Sequence, residues 1–278
     1  MHPSRAPIDE ATIRPILALC GGANSGPRNP NDGRRPVRES TFDFSGRVVV
    51  VTGANGNLGS AVARAFAEAG AYLVLVGRRQ EPVAEALPEL TGRDTVWLAP
   101  ATDLTDEASV TAMVAQARER FGRLDVLANT VGGYRGGTPV HEMDAASWDF
   151  MMSLNARSAF VVSKAVIPTM IEQGYGKIVH TASRAAEAGS RNAAAYAAAK
   201  AAVLRLTDSL ALELKGKGIN VNCVMPGTID TADNRSAMPT ADHSRWVTPE
   251  SIARVFLFLA SDAAQALHGV HIPAYGLS

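Results

Sequence analysis

Apolar residues along most of this chain alternate between short continuous runs and longer stretches with helical spacing. Residues 47–52 (RVVVVT) form a β-branched run typical of a strand that is buried on both faces. Over residues 58–69 the positions Leu58, Val62 and Phe66 recur with helical spacing, which predicts an amphipathic helix that Gly70 ends. The same alternation predicts further strands at residues 72–76, 95–99, 124–128, 177–181, 220–224 and 269–273, and helices at residues 81–90, 107–121, 147–172, 193–215 and from residue 249.

This alternation of strands and helices predicts the fold class. Consecutive β-α-β units are right-handed, and they place their strands side by side in a parallel sheet with helices on both faces. We therefore expect an α/β protein with a doubly wound parallel sheet in three layers, α/β/α, as a single domain over residues 44–278. Helix starts are marked locally, because Thr105 or Asp106 can cap the helix over residues 107–121, and Thr248 precedes Pro249 in the last helix.

The first 43 residues differ in composition from the rest of the chain. Residues 1–40 hold six of the fifteen prolines and show no sustained periodicity. The apolar run before Cys20 loosely resembles a lipoprotein cleavage site, but Leu19 is too bulky for the position before the cysteine, and Pro15 interrupts the run. We expect a disordered N-terminal extension over residues 1–43, or an over-extended reading frame, with the folded domain beginning near Phe44.

Charge and cysteine content exclude several classes of partner. The 278 residues carry 27 basic and 27 acidic side chains, so we expect no binding to nucleic acid or to an anionic membrane. The apolar runs are too short to span a bilayer. Cys20 and Cys223 make no disulfide framework, which suits the reducing cytoplasm. The histidines show no spacing typical of metal ligands, and we predict no metal site.

A glycine-rich turn lies between the first predicted strand and the helix after it. Residues 52–59 read TGANGNLG, and such a turn lets backbone N–H groups and the helix N-terminus approach a pyrophosphate. A tight turn with nothing bound is the alternative, but the flanking strand and helix favour a dinucleotide site.

The end of the second predicted strand bears on which dinucleotide binds. NAD-binding sites usually place an acid there, whereas this chain has Arg78 and Arg79, and its first acid is Glu81. A guanidinium binds a 2′-phosphate that an acid would repel, so we expect NADP(H) to be favoured over NAD(H). The alternative is that Arg78 and Arg79 lie in a solvated turn and bind no cofactor.

Tyr196 and Lys200 lie four residues apart in the stretch AAYAAAKAA, whose alanine content predicts a helix. At this spacing both side chains leave the same helix face, one turn apart. An ammonium group beside a phenol favours the phenolate, so we expect Lys200 to lower the pKa of Tyr196 and to make it a general acid/base. If this motif is taken alone, the alternative is that Tyr196 and Lys200 are an exposed pair without function.

With both motifs in one chain, residues 44–275 resemble the short-chain dehydrogenase/reductase family, in its compact single-domain branch with a Rossmann-like fold. Asp103 and Leu104 follow the third strand, where the family places an Asp side chain and a backbone amide beside the adenine. Residues 226–231 match the family's Pro-Gly-x-x-x-Thr, which closes over the nicotinamide. The resemblance implies that the cofactor is bound by Gly53, Asn55, Asn57, Leu58, Gly59, Arg78, Asp103, Leu104, Asn129, Tyr196, Lys200, Pro226, Gly227 and Thr231.

The resemblance also implies a catalytic set of Asn155, Ser183, Tyr196 and Lys200. Tyr196 would donate the proton in reduction and accept it in oxidation, and Ser183 would donate a hydrogen bond to the substrate oxygen. Lys200 would hold the nicotinamide ribose, and Asn155 would anchor a water relay behind it. Together these roles imply hydride transfer between a nicotinamide and a carbonyl or secondary alcohol.

Two positions depart from the family's pattern. Asn57 stands where the family's turn usually has its middle glycine, and we expect the turn to form because Asn tolerates left-handed backbone. Thr130 replaces the second Asn of the family's Asn-Asn-Ala-Gly, which here reads ANTVG from Ala128, and we expect it to weaken a hydrogen bond that holds the backbone.

Other functional classes fit these residues less well. Enoyl reductases of similar fold have Lys seven residues after the Tyr, and here that position is Val203. Epimerase and dehydratase relatives carry a larger C-terminal substrate domain, for which the segment after Thr231 leaves little room. A nucleotide-sensing or scaffolding protein without turnover is the alternative from another class, and the intact catalytic set argues against it.

The substrate stays open at this point, because a 3-oxoacyl thioester, a simple ketone, a sugar or polyol and a steroid-like alcohol all fit. Tyr134, Met238 and Trp246 are candidate pocket linings, with plain loop packing as an equal alternative. The resemblance implies a homo-oligomer, dimer or tetramer, in which the helices over residues 147–172 and 193–215 pair with their copies.

Overall fold

One parallel sheet organises the chain in the computed structural model, which describes residues 42–277. Its strands are β1 Val48–Thr52, β2 Tyr72–Val76, β3 Val96–Leu98, β4 Val126–Asn129, β5 Gly176–Thr181, β6 Ile219–Pro226 and β7 His271–Ala274. Within the described residues these seven strands lie in the order β3-β2-β1-β4-β5-β6-β7, and every neighbouring pair is parallel. The predicted doubly wound parallel α/β sheet is confirmed.

Helices connect successive strands and cover the sheet. They are α1 Asn57–Glu68, α2 Gln80–Ala86, α3 Glu107–Phe121, α4 Ala145–Met152, α5 Ser158–Gln173, α6 Ala194–Leu214, α7 Ala232–Ala237 and α8 Pro249–Ala260. Of the two candidate caps for α3, the structure uses Asp106, whose carboxylate accepts a 2.9 Å hydrogen bond from the backbone N–H of Ser109. Thr248 caps α8, and Pro249 occupies its first turn, as the sequence predicts.

Three helical regions differ from the sequence predictions. The helix predicted over residues 147–172 is divided into α4 and α5 by a π-helical turn at Ser153–Arg157. The helix predicted over residues 81–90 ends at Ala86, because the residue before Pro88 is disfavoured in helical conformation. The short α7 was not predicted, since its six residues are too few to show a helical period.

Two apolar layers pack against the two faces of the sheet. Because successive strand residues point to opposite faces, Val49 and Val51 pack with α1 and α8, whereas Val48 and Val50 pack with α3, α5 and α6. All four valine side chains are buried. The side chains of β1 thus join both layers, which explains its unbroken β-branched run.

The order of strand addition reverses at β1. The chain first adds β2 and β3 on one side of β1 and then adds β4 to β7 on the other side. In open parallel sheets the crevice outside the carboxyl ends of the strands at such a point binds ligands. The segments after β1, β4, β5 and β6 meet at this edge, and they carry most of the residues that the motifs single out.

The predicted disordered extension over residues 1–43 lies outside the described residues except for Phe42 and Asp43, and it stays a prediction. The ring of Phe42 lies 6.4 Å from that of Phe258 in α8. Over residues 42–277, no helix has the length and apolar character needed to cross a membrane.

Candidate active site

The four side chains of the predicted catalytic set converge at the carboxyl edge of the sheet. Ser183 follows β5, Tyr196 and Lys200 lie on α6, and Asn155 lies in the π-helical turn. A hydrogen bond joins the side chain of Ser183 to the Tyr196 phenol. A methyl group on Gly132 would lie 2.7 Å from Lys200 Nζ and 2.9 Å from Asn155 Oδ1, so these two side chains flank one point of the loop after β4.

The Tyr196 phenol is half-buried, and its surroundings set its acidity. Burial raises the pKa of Tyr196 above its ordinary value of 10.0, the hydrogen bond with Ser183 opposes this, and the nearby Tyr134 phenol raises it further. This direction is opposite to the one expected from the spacing of Tyr196 and Lys200. Desolvation favours the neutral phenol, and in this arrangement the Lys200 ammonium does not counteract it.

Lys200 is directed toward the backbone of β5 instead. Its side chain is 4% exposed, and Nζ donates a 2.9 Å hydrogen bond to the carbonyl oxygen of Thr181. Burial lowers the pKa of Lys200 to about 8, so the ammonium form still predominates at pH 7. An ammonium has three N–H donors, and among the described residues Thr181 is the acceptor that it reaches. The other two donors can therefore serve a bound group.

Asn155 fixes the loop after β4 through both ends of its amide. Its Oδ1 accepts a 3.1 Å hydrogen bond from Gly133 N, and its Nδ2 donates to Gly133 O at 3.1 Å and to Met151 O at 3.0 Å. The residue is 1% exposed. The wider π-helical turn supplies this position, and such turns are frequently found at functional sites.

The glycine-rich turn brings two backbone segments into close contact. A methyl group on Gly59 would lie 2.7 Å from the carbonyl carbon of Gly53 and still closer to its oxygen, so residue 59 has no room for a side chain. Gly53 has φ of +64°, which favours glycine. Gly56 caps α1 without a side-chain hydrogen bond, so no capping side chain occupies the first N–H groups of the helix.

The turn forms as expected, closed by a 2.9 Å hydrogen bond from Gly56 N to Gly53 O, but Asn57 and Thr130 contribute differently from what was expected. Asn57 does not adopt left-handed backbone, because it is the first residue of α1, and the positive φ falls on Gly53. Thr130 does not lack a backbone contact, since its Oγ1 donates a 2.6 Å hydrogen bond to Thr52 O. The Thr130 hydroxyl thus ties the loop after β4 to the glycine-rich turn.

The adenosine end of the predicted cofactor site lies after β2 and β3. Arg78 is exposed directly after β2, and its charge contributes to lowering the pKa of Asp103, which hydrogen bonds from Thr105 lower most. Asp103 Oδ1 accepts hydrogen bonds from Thr105 N at 2.9 Å and Thr105 Oγ1 at 2.7 Å. The Asn55 amide oxygen would lie 3.5 Å from a methyl group on Gly77, which places it beside the end of β2.

The remaining predicted cofactor residues lie along the same edge of the sheet. Pro226 ends β6, and Gly227 N donates a 3.1 Å hydrogen bond to Ala274 O, which continues the pairing with β7. Thr231 caps α7 by accepting a 3.2 Å hydrogen bond from Asn234 N. Leu58 and Leu104 are buried beside the turns that carry them, and Asn129 ends β4.

Comparisons with known proteins agree with this geometry. The family model described as "short chain dehydrogenase" matches residues 47–242. The chain belongs to the short-chain dehydrogenase/reductase family. It is 37% identical to a cis-4-hydroxycyclohexanecarboxylate dehydrogenase of Sinomonas cyclohexanicum, over 84% of this chain and 96% of that protein. It is 38% identical to a 3alpha-hydroxysteroid dehydrogenase of Mediterraneibacter gnavus, over 80% and 93% respectively.

A solved structure supports the same assignment. The structure of a short-chain type dehydrogenase/reductase from Mycobacterium ulcerans superposes with a TM-score of 0.80 at 30% identity, covering 85% of this chain and 90% of that one. As a member of the short-chain dehydrogenase/reductase family, the protein is an oxidoreductase that acts on CH–OH groups with a nicotinamide cofactor.

The described residues of this short-chain dehydrogenase/reductase fit such a cofactor. The close contact between Gly53 and Gly59 holds the glycine-rich turn against the N-terminal end of α1, whose first N–H groups are the donors that would bind a pyrophosphate. Lys200 keeps two N–H donors for hydroxyl groups. Residues 42–277 contain no group of three or more His, Cys, Asp or Glu side chains that could hold a metal ion.

A chain of buried polar side chains runs behind the site. Thr52 Oγ1 donates to Asn129 Oδ1 at 2.6 Å, and Asn129 Nδ2 lies 3.2 Å from His180 Nδ1. His180 Nε2 lies 3.4 Å from Ser163 Oγ, which donates to Ala159 O at 2.7 Å. If His180 is neutral and carries its proton on Nε2, each contact is a hydrogen bond with one donor and one acceptor. Asn129 Nδ2 then donates to Nδ1, and Nε2 donates to Ser163 Oγ. The chain links the strand before the cofactor turn to α5.

Several contributors to the site were absent from the sequence predictions. Thr181 and Gly133 act through backbone atoms, so no pattern of side chains could indicate them. His180 was considered only as a metal ligand, although its place one residue before the end of β5 could have indicated a buried polar contact. Tyr134, predicted as a pocket lining, lies on Tyr196 with ring centroids 5.1 Å apart.

Proposed function

We propose that this protein is an NADP(H)-dependent oxidoreductase that interconverts a ketone and a secondary alcohol, with Asn155, Ser183, Tyr196 and Lys200 as its working residues. The observation that carries the proposal is the hydrogen bond between Ser183 and Tyr196 at the end of β5, beside a buried Lys200 with two unused donors. Such a pair of hydroxyl groups can bind one oxygen atom from two directions.

The proposed reaction assigns a distinct task to each residue. When bound, the nicotinamide supplies the hydride in reduction and accepts it in oxidation. In reduction Ser183 donates a hydrogen bond to the substrate oxygen and stabilises the negative charge that develops there, while Tyr196 transfers its phenolic proton to that oxygen. In oxidation Tyr196 takes the proton from the alcohol. Because burial makes the free phenol a weaker acid, a neighbouring positive charge is needed to stabilise the phenolate.

Lys200 and Asn155 support this proton transfer. The charged Lys200 amine offers two N–H donors to the ribose hydroxyls of the cofactor. Asn155 holds Gly133, so the loop beside the nicotinamide site keeps one position. A water relay behind Lys200, which the family resemblance implies for Asn155, belongs to the same proposal.

The preference for NADP(H) rests on the end of β2. Gly77, Arg78 and Arg79 follow the strand with no carboxylate among them, and Arg78 is exposed on the edge that carries Asn55 and Asp103. A cation at this position favours a 2′-phosphate, whereas an acid would favour the 2′-hydroxyl of NAD.

Two classes of substrate follow from the chain's relatives and its resemblance. Two relatives are named for alcohols carried on a ring, a hydroxycyclohexanecarboxylate and a hydroxysteroid, and this favours an alicyclic secondary alcohol or its ketone. A 3-oxoacyl thioester is the other carbonyl substrate to be tested.

The quaternary structure and location complete the proposal. The exposed apolar side chains of Phe160 on α5 and Leu212 on α6 favour a homotetramer in which these helices pair with their copies. The balanced charge and the absence of a disulfide framework favour a cytoplasmic enzyme. Light scattering after size exclusion gives the number of subunits.

The decisive experiment is steady-state turnover with cyclohexanone, a 3-oxoacyl thioester and acyclic ketones, using NADPH and NADH in parallel. We expect wild-type turnover with NADPH and a loss of at least a hundredfold in kcat for Tyr196→Phe, because the proton donor is removed while the ring is kept. Fluorescence titration should show that this variant still binds NADPH. Cofactor binding without Tyr196-dependent turnover on any carbonyl would instead support a nucleotide sensor.

A further inference from the structure

Tyr134 is an exposed aromatic residue that lies directly on the proposed proton donor. Its side chain belongs to the loop after β4 and is 68% exposed. Its ring centroid lies 5.1 Å from that of Tyr196, with the two ring planes at 82°, an edge-to-face arrangement. Because this contact covers only a small part of Tyr134, most of the ring is available to a molecule that occupies the site.

The backbone of the loop holds this ring in place. Gly133, the residue before Tyr134, is bound through both its N–H and its carbonyl group by the buried Asn155. A methyl group on Gly136 would lie 2.7 Å from Tyr134 Cζ, so the ring folds back over a position without a side chain. Gly137 N donates a 2.7 Å hydrogen bond to a carbonyl of the segment before α6. Asn155, a member of the proposed catalytic set, therefore helps to position the loop that carries the ring.

The neighbouring side chain points elsewhere. The Arg135 guanidinium stacks on the ring of Phe150 in α4, 4.3 Å from its centroid. On this stretch of the loop, the apolar surface next to Tyr196 is thus the Tyr134 ring. A substrate whose oxygen reaches the Tyr196 hydroxyl brings the atoms around its reacting carbon close to this ring.

We propose that Tyr134 is a specificity-determining residue whose ring packs against a ring of the substrate, so that alicyclic ketones and alcohols are preferred over acyclic ones of the same size. The inference rests on the proposed ketone reduction and adds the substrate class to it. A rigid ring loses little conformational freedom when it packs on an aromatic side chain, whereas an acyclic chain must fix several rotatable bonds. Burial of apolar surface between the substrate ring and the Tyr134 ring, at about 25 cal/mol per Å², contributes on the order of tenfold in binding at most.

The test compares cyclohexanone with 2-hexanone, which have the same number of carbon atoms, as substrates of the full-length enzyme with NADPH. The measured quantity is the ratio of their kcat/KM values for the wild type, Tyr134→Leu and Tyr134→Phe. We expect Tyr134→Leu to lower the ratio about fivefold to tenfold, mainly through KM for cyclohexanone. Tyr134→Phe keeps the ring and should keep the preference. Val140→Ala, which alters a 70% exposed apolar side chain farther along the chain, is the matched control.

Each outcome separates the inference from the function on which it rests. An unchanged ratio in Tyr134→Leu overturns the inference, and so does an equal loss of kcat for both ketones, which would show that Tyr134 only positions Tyr196. A loss of preference in Tyr134→Phe as large as in Tyr134→Leu would show that the hydroxyl rather than the ring acts, and it also overturns the inference. Absence of turnover by the wild type on every carbonyl refutes the proposed function itself. Thermal melting checks that the variants are folded.

Discussion

Lowering the pH from 7 to 5 should destabilise this protein through His180, whose side chain is fully buried. The neutral ring is satisfied on both nitrogens, by Asn129 at Nδ1 and by Ser163 at Nε2. Burial, and to a smaller extent the charge of Lys200, lowers the pKa of His180 from its ordinary value of 6.5 to about 4. The unfolded chain thus takes up a proton near pH 6.5, which the folded protein accepts only near pH 4.

The size of the effect follows from the two pKa values of His180. Stability is fully present above pH 6.5 and is lost progressively as the pH falls toward 4, because the unfolded state binds more protons over this range. Each pKa unit corresponds to about 1.4 kcal/mol, so the limiting loss is about 3 kcal/mol, of which about 2 kcal/mol is reached by pH 5. This is a substantial fraction of the stability of a typical domain.

Urea unfolding at pH 7 and pH 5 measures the effect when wild type is compared with His180→Asn. The substitution leaves a cavity whose cost is nearly the same at both pH values, so the difference in pH dependence isolates the imidazole. We expect the wild type to lose about 2 kcal/mol more between the two pH values than His180→Asn. His141→Asn, which changes an exposed side chain, should behave as the wild type does. Equal pH dependence in the wild type and His180→Asn would refute the reasoning.

Two further predictions concern the cofactor. Arg78→Ala should weaken NADPH binding roughly tenfold to a hundredfold and leave NADH binding nearly unchanged, because it removes a charge-assisted hydrogen bond to the 2′-phosphate. The matched variant Arg79→Ala should not weaken NADPH binding in this way. Equal effects on both cofactors would contradict the assignment of Arg78. Gly59→Ala should abolish measurable binding of either cofactor in fluorescence titrations, because its methyl group would overlap the Gly53 carbonyl. Gly56→Ala, with 3.3 Å to Gly53 O, should bind at least tenfold more tightly than Gly59→Ala.

The strands and most helices could be predicted because local patterns report burial directly. The valine run of β1 is β-branched throughout since its side chains join both apolar layers. The missed division between α4 and α5 is associated with a distant contact. The π-helical turn carries Asn155, whose amide is bound to Gly133, twenty-two residues earlier in the chain. The helical spacing of apolar residues in the sequence contains no information about such a contact.

The candidate site was also only partly predictable. The spacing of Tyr196 and Lys200 placed both on one helix face, and the order of motifs indicated Ser183 and Asn155. The direction of the change in the Tyr196 pKa was not predictable, because desolvation depends on everything that surrounds the ring. The partner of Lys200 proved to be a backbone carbonyl on β5, which no side-chain pattern contains.

The sequence by itself determined the alternation of strands and helices and the glycine-rich turn, because each depends on neighbours within a few positions along the chain. The order of its motifs also indicated the four side chains that we propose as catalytic. Only the tertiary structure decided the burial of Lys200 and His180, the bond from Asn155 to Gly133 and the place of Tyr134 on Tyr196. These features arise where segments distant in sequence meet at the carboxyl edge of the sheet. Desolvation and packing act there through space, whereas sequence patterns report contacts along the chain.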